Sequence, residues 1–302
     1  MNNDHSTITE KRTVMAEPLK NAERLAVSIS KQTDEEEKNG RLLPSTINSL
    51  REAGYYRLFL SKSLRGIECD PVTAANIVEI ISSHNVGAGW SMMVANTAHW
   101  WCCRLPEKGV EEIYRNGPDT FLAGAFHPPM KAVPIEGGYI VNGRTPLTSN
   151  VHEAEWVSLT ALVFENGQMK ISNGTPEVRV VMMHVSQYKI IDTWQTIGMK
   201  ATDSNDVVAT DVFVPAHLTC ALSPTFEPTA YFSGYLYRYP ALGAGIASLI
   251  APVTLAIARS AIKEIILLAD KKVPFGSSTP LRERGKSRVN IGQRVGKQMY
   301  ES

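Results

Sequence analysis

The segment VPIEGGYIVNGRTPLTSN, residues 133–150, lies in the part of the chain that is patterned as β structure, residues 119–215. Gly-Gly and Asn-Gly pairs punctuate this part, and such pairs supply the positive φ that tight hairpin turns require. They occur at 137–138, 142–143, 166–167 and 173–174. Runs rich in Val, Ile and Thr lie at 139–141, 156–164, 178–183 and 207–214. We therefore predict an antiparallel sheet domain, a small β-barrel, over residues 119–215.

Helical patterns flank the β domain on both sides. The polar residues 1–16 are expected to be a disordered tail, and residues 17–118 an N-terminal helical domain. Within that domain Asp70 followed by Pro71 is a good N-cap and first-turn pair. Residues 216–302 are expected to form a C-terminal helical bundle, so the predicted fold class is α+β.

The composition is that of a soluble globular protein. The 302 residues are 43% hydrophobic and 20% charged, with a net charge of +1. Such a balance gives no field to attract nucleic acid, and residues 1–20 have no apolar core typical of a signal peptide. The uncharged run 239–258 contains two prolines and is rich in Ala and Gly, which favours a buried helix over a membrane span. We expect a cytoplasmic protein without nucleic-acid or membrane partners.

Three motifs, taken with the order helical, β, helical, resemble the acyl-CoA dehydrogenase superfamily. They are EGGYIVNG at 136–143, TPLTSN at 145–150 and, most specifically, GMKATDSNDVV at 198–208. The last is similar to the branch of flavin-dependent two-component monooxygenases that hydroxylate phenols, steroids and thiophenes. The resemblance covers the chain from Arg41 to its end.

Two departures from the superfamily pattern affect the functional interpretation. The Thr-Glu-Pro type flavin contact of the dehydrogenases is replaced by the run Ala125 to Pro128, which weakens the acyl-CoA interpretation. The usual Gly-Met-Arg is Gly-Met-Lys here, so Lys200 can offer only a point charge in place of a guanidinium fork.

The resemblance implies an oxidoreductase that receives reduced flavin, FMNH2 or FADH2, from a separate reductase. The flavin would react with O2 to a C4a-hydroperoxide, which hydroxylates an aromatic or polycyclic small molecule. An acyl-CoA dehydrogenase-type flavoenzyme and a non-catalytic remnant of the fold are the alternatives. The family also implies a homo-oligomer, a tetramer when the chain is complete.

The resemblance also suggests site residues. His99 would act as the catalytic base or bond the distal oxygen, with a core histidine as the alternative. Ser149 would donate a hydrogen bond near flavin N5, with a serine that satisfies its own turn as the alternative. The residues expected to bind the cofactor are Phe126, His127, Thr148, Ser149, Asn150, Trp194, Lys200, Thr202 and Ser204; no metal ligands are expected.

The end of the chain carries a further expectation. One long helix, about 239–272, is followed by the start of another near 289–300, where the family has a bundle of several helices. A helix that is apolar all round needs partners on every side. We therefore expect a truncated bundle that associates through this helix.

Overall fold

The computed structural model describes residues 4–223, 226–238, 246–286, 289–290 and 292–293. Its helices are α1 Asp4–Ile29, α2 Thr33–Asn39, α3 Pro44–Glu52, α4 Pro71–Ser82, α5 Val86–Cys102, α6 Glu107–Ile113 and α7 Ile246–Lys271. Its strands are β1 Leu122–Ile135, β2 Gly138–Thr148, β3 Trp156–Glu165, β4 Gln168–Met169, β5 Ile171–Ser172, β6 Thr175–Pro176, β7 Val178–His184, β8 Lys189–Ile191, β9 Asn205–Pro215 and β10 Thr219–Ala221. The α+β class and the order helical, β, helical agree with the prediction.

The N-terminal helix begins earlier than the sequence suggested. Residues 4–16, expected to be a disordered tail, form the first half of α1. Residues 4–17 contain neither glycine nor proline, so no residue there interrupts the backbone hydrogen bonding of a helix. The predicted cap at Asp70 is confirmed, because its side chain accepts from the backbone N–H groups of Val72 and Thr73.

The sheet is mixed and open, and it does not support the predicted antiparallel barrel. Its order is β10-β7-β3-β1-β2-β9-β8, with β4 beside β3, and β1 pairs with β3 in parallel. Over the described residues, no ladder joins the edge strands β8 and β10 to each other. Each of these edge strands has three residues, which leaves little backbone with which to close a cylinder.

The predicted turns divide into two kinds. Asn166-Gly167 and Asn173-Gly174 have positive φ at both residues and connect β3 to β4 and β5 to β6, as expected. Asn142-Gly143 is not a turn, since Gly143 lies inside β2 at a shift in its register with β9. An extra residue in one strand produces such a bulge, and it depends on the partner strand as well as on the local sequence.

Helix α5 is the centre of the core. It packs against α4, α7 and β1, and nearly all of its residues are buried. Asn85 caps its first turn by accepting from Ala88 N, and Asn85 in turn donates to the buried carboxylate of Glu36 at 2.6 Å. The position of α5 is therefore fixed both by packing and by a buried polar contact.

Helix α7 corresponds to only part of the two helices that were predicted at residues 239–272 and 289–300. Its inner face buries Leu249, Val253 and Ala256, while Ile257, Ile265 and Leu268 are 42%, 53% and 52% exposed. Residues 239–245, part of the predicted long helix, and most of the second predicted helix at 289–300 lie outside the described residues. Within the described ranges, none of the helices has the length and apolar character to cross a bilayer.

Candidate active site

A cavity of about 220 Å³ lies where α5 faces the start of β1 and the end of β2. Ile250 of α7 and Ser158 of β3 complete its wall. Its other lining residues are Trp90, Met93, Val94, Thr97, Ala98, Gly124, Ala125, Phe126, His127, Pro146, Leu147 and Ser149. Three of the predicted cofactor-binding residues, Phe126, His127 and Ser149, are therefore brought together here.

One stripe of α5 forms the apolar wall. Trp90, Met93, Val94, Thr97 and Ala98 follow the i, i+3, i+4 spacing that places side chains on one helix face. This spacing was visible in the sequence, but apolar residues occur on every face of α5, so periodicity alone did not distinguish the cavity face from the core faces. Met92 and Trp100, which could equally have lined a cavity, are buried in the core.

The opposite wall depends on a glycine in β1. A Cβ on Gly124 would lie 2.5 Å from Ser158 Oγ, and Gly124 forms an antiparallel bridge with Ser149. The absence of a side chain at Gly124 therefore lets Ser158 of β3 approach β1 closely.

The end of β2 has an unusual backbone that presents Ser149. Leu147 and Asn150 on either side adopt positive φ, 57° and 65°, which is uncommon for residues other than glycine. Asn150 is held by two hydrogen bonds, from its Nδ2 to Ser91 O at 3.1 Å and from its N to Thr202 O at 3.0 Å. These bonds stabilise a backbone conformation that is unfavourable for residues other than glycine. Such conformations are frequent at functional sites.

A chain of hydrogen bonds leads away from the cavity through Ser149. Trp90 Nε1 donates to Ser149 Oγ at 2.9 Å, and Ser149 Oγ lies 2.7 Å from Ser204 Oγ. Ser204 Oγ lies 2.7 Å from Thr202 Oγ1, which donates to Met199 O at 2.9 Å. Thr202 and Ser204 were predicted to bind cofactor; they are buried behind Ser149 and do not line the cavity.

The loop that contains Lys200 and Trp194 is anchored from behind. The backbone N–H groups of Lys200 and Ala201 donate to the Glu37 carboxylate at 3.0 and 3.2 Å. Trp194 N donates to Asn205 Oδ1, and its indole Nε1 donates to Met199 O at 3.1 Å. Neither Lys200 nor Trp194 lines the cavity described here.

A charged cluster that the sequence did not suggest supports the same loop. His152 Nδ1 lies 2.8 Å from Asp203 Oδ1, and its Nε2 lies 3.1 Å from Asp192 Oδ1. Arg41 contacts both carboxylates, Asp203 at 3.4 Å and Asp192 at 3.8 Å. The three segments that carry these residues are far apart in sequence, so a single sequence gave no signal for the cluster.

The predicted catalytic residue His99 is not part of the cavity lining. It is buried on another face of α5, where its Nδ1 lies 2.7 Å from Tyr114 Oη and the two rings stack. Burial lowers the pKa of His99 to about 3, so the imidazole is neutral at physiological pH. This environment matches the alternative of a core histidine, and we do not assign His99 a role in the chemistry.

The residues present fit a polar, planar cofactor. Thr148 Oγ1, beside Ser149 but outside the cavity lining, is buried and has no hydrogen-bond partner among the described residues. Ser149 lines the cavity, and its Oγ retains an unused lone pair. An apolar wall facing such polar groups is typical of cofactor sites.

Comparisons with known proteins define the relationship of this chain. No family model matches it. It is 28% identical over 249 residues to indole-3-acetate monooxygenase of Pseudomonas putida, which covers 82% of this chain. Further relatives are named as the oxygenase subunit or component of flavin-dependent hydroxylases. The relatives of this chain are therefore named as monooxygenases or hydroxylases, several of them flavin-dependent. The aligned region spans 60% of the length of the Pseudomonas relative.

Solved structures give the fold. XiaF from Streptomyces sp., solved with FADH2 and glycerol, superposes with a TM-score of 0.81 at 21% identity, covering 97% of this chain and 74% of that one. Butyryl-CoA dehydrogenase from Megasphaera elsdenii superposes with a TM-score of 0.75 at 15% identity, covering 95% and 76%. The chain therefore has the acyl-CoA dehydrogenase-like fold that its motifs suggested.

Proposed function

We propose that this chain is the oxygenase component of a two-component flavin monooxygenase that hydroxylates a small aromatic molecule. One observation carries the proposal: the apolar stripe of α5 and the hydrogen-bonded Ser149 face each other across one cavity, in a chain whose homologues are flavin monooxygenases. The reduced flavin would come from a separate reductase. A homo-oligomer and a cytoplasmic location are part of the same proposal.

Phe126, His127 and Ser149 would contact the flavin directly, because they line the cavity. Thr148 and Asn150 would hold the strand end in place, and Thr202 and Ser204 would act through Ser149. When bound, reduced flavin supplies the electrons with which O2 is activated for transfer to the substrate. Trp194 and Lys200 would help to maintain the conformation of the loop that contains them.

The protein's own part in the reaction is to exclude water and to fix a hydrogen bond. Met93, Val94 and Ala98 present hydrocarbon to the cavity and are at most 8% exposed. A dry pocket limits the loss of activated oxygen as hydrogen peroxide. The same apolar surface, with the rings of Trp90 and Phe126, suits an aromatic substrate.

The test begins with anaerobic titration of the purified chain with FMN and FAD, each in oxidised and dithionite-reduced form. We expect tighter binding of a reduced flavin, followed by product formation when O2, a flavin reductase and a panel of indoles and phenols are supplied. Tighter binding of oxidised flavin, with bleaching by acyl-CoA, would establish the dehydrogenase alternative. Absence of binding in both forms would favour the non-catalytic remnant.

A substitution that fills the cavity makes the site assignment testable. Val94→Trp should abolish flavin binding, because its ring would occupy the space between α5 and β1. Val27→Trp is the matched control, since it adds the same ring to a side chain that is 56% exposed on α1. Flavin binding that survives Val94→Trp would show that the cavity is not the cofactor site.

A further inference from the structure

The four hydrogen bonds between Trp90 and Met199 have one possible direction. A carbonyl oxygen can only accept and an indole N–H can only donate, whereas a hydroxyl has one proton to donate and two lone pairs. The directions of the first and the last hydrogen bond in this series, at Trp90 and at Met199, are therefore known. The directions of the bonds between them follow by elimination.

From the Met199 end, Thr202 Oγ1 donates its only proton to Met199 O, which also accepts from Trp194 Nε1 and from Thr202 N. The 2.7 Å contact with Ser204 must then use the Ser204 proton, which Thr202 accepts. Ser204 has no second proton, so the 2.7 Å contact with Ser149 must use the Ser149 proton. All three hydroxyl protons therefore point away from the cavity.

From the other end, Trp90 N–H occupies one lone pair of Ser149 Oγ. One lone pair remains, and of the three hydroxyl residues only Ser149 lines the cavity. Thr202, Ser204 and Ser149 are at most 4% exposed, so bulk water has little access with which to reorganise the chain. Ser149 thus presents an acceptor to the cavity, where the sequence had suggested a donor.

We infer that Ser204 and Thr202 are positioning residues that make the site select flavin in its reduced form. The inference rests on the proposed function and on the expected placement of Ser149 near flavin N5. Reduced flavin carries a proton on N5 and can donate to Ser149. Oxidised flavin has a lone pair there, which would face another lone pair and leave both unpaired.

The experiment measures the ratio of the dissociation constants of oxidised and reduced flavin under anaerobic conditions. Ser204→Ala and Thr202→Val each interrupt this series of hydrogen bonds, which frees the Ser149 proton to rotate toward the cavity. We expect the ratio to fall about two- to tenfold in both variants, the range expected for one hydrogen bond. Thr202→Ser keeps the hydroxyl and is the matched control, for which the ratio should stay at the wild-type value.

The indole N–H resonance of Trp90 supplies a flavin-free readout of the fold. It should remain hydrogen-bonded in Ser204→Ala and shift in Ser149→Ala. A ratio unchanged in Ser204→Ala and Thr202→Val, with wild-type preference for reduced flavin, would overturn this inference alone. A ratio that falls equally in Thr202→Ser and Thr202→Val would also overturn it. A wild-type chain that binds neither form would overturn the proposed function and this inference together.

Discussion

Trp90 of α5 donates its indole N–H to the hydroxyl of Ser149 at the end of β2, with 2.9 Å between Nε1 and Oγ. The two residues are 59 positions apart in the sequence. This bond joins the N-terminal helices to the sheet at the wall of the cavity. It also fixes one of the two lone pairs of Ser149. The arrangement of the site therefore depends on how α5 docks against the sheet.

The strength of this bond can be measured by a double-mutant cycle on the free energy of unfolding. Trp90→Phe, Ser149→Ala and the double variant should give a coupling of about 1 kcal/mol, because a hydrogen bond contributes about that much. Chemical denaturation of the four proteins supplies the values. Pairing Trp90→Phe with Val27→Ala, an exposed site on α1, should give additive effects; an additive Trp90–Ser149 pair would show that the bond contributes nothing.

Glu36 tests the polar contact that positions α5. Its carboxylate is fully buried and accepts from Leu43 N at 2.9 Å and from Asn85 Nδ2 at 2.6 Å. Glu36→Gln would direct an amide N–H₂ at one of these donors, so we expect a loss of about 2 kcal/mol in the free energy of unfolding. Glu35→Gln, at the exposed neighbouring position, should change it by less than about 0.5 kcal/mol. Equal effects of the two substitutions would contradict this role for Glu36.

His99 should make the stability depend on pH in the acid range. Burial lowers its pKa to about 3 from an ordinary value of 6.5, so below pH 6.5 the unfolded chain binds a proton that the folded chain does not. Stability is therefore lost as pH falls from about 6.5 toward 3, with a slope of up to about 1.4 kcal/mol per pH unit from this group. Denaturation of wild type and His99→Gln at several pH values should show a shallower loss in the variant.

Tyr114→Phe tests whether burial or the hydrogen bond with Tyr114 causes the lowered pKa of His99. It removes the hydroxyl beside His99 Nδ1 but leaves the ring buried. Because burial is the main cause of the lowered pKa, the acid slope should persist in this variant. A slope that vanishes in Tyr114→Phe would assign the effect to the hydrogen bond.

The outer face of α7 should drive association with a second copy of the chain. Ile257, Ile265 and Leu268 lie on one side of this helix and are each more than 40% exposed. We expect light scattering to show an oligomer that Ile265→Ser with Leu268→Ser weakens, since contiguous apolar surface of this kind favours contact. Val27→Ser with Val72→Ser, at two separate exposed sites, should leave the mass unchanged. A wild-type chain that is monomeric at all concentrations would contradict the prediction.

The sequence by itself determined what depends on a few neighbouring residues. The Asp70 cap and the turns at Asn166-Gly167 and Asn173-Gly174 follow from local side-chain hydrogen bonds and from tolerance of positive φ. The motifs identified the fold and its homologues. They also pointed to Ser149, Phe126 and His127, three residues that line the cavity.

Only the tertiary structure decided which faces meet. Asn142-Gly143 became a bulge because β2 must keep register with β9, and His99 lies away from the cavity because another face of α5 turns toward β1. Trp90 reaches Ser149 for the same reason. The direction of the Ser149 hydroxyl depends on donors and acceptors that only the packed structure brings within 3 Å of each other. Local pattern limits the conformation of each segment, whereas side-chain contacts between distant segments depend on the docking of the whole chain.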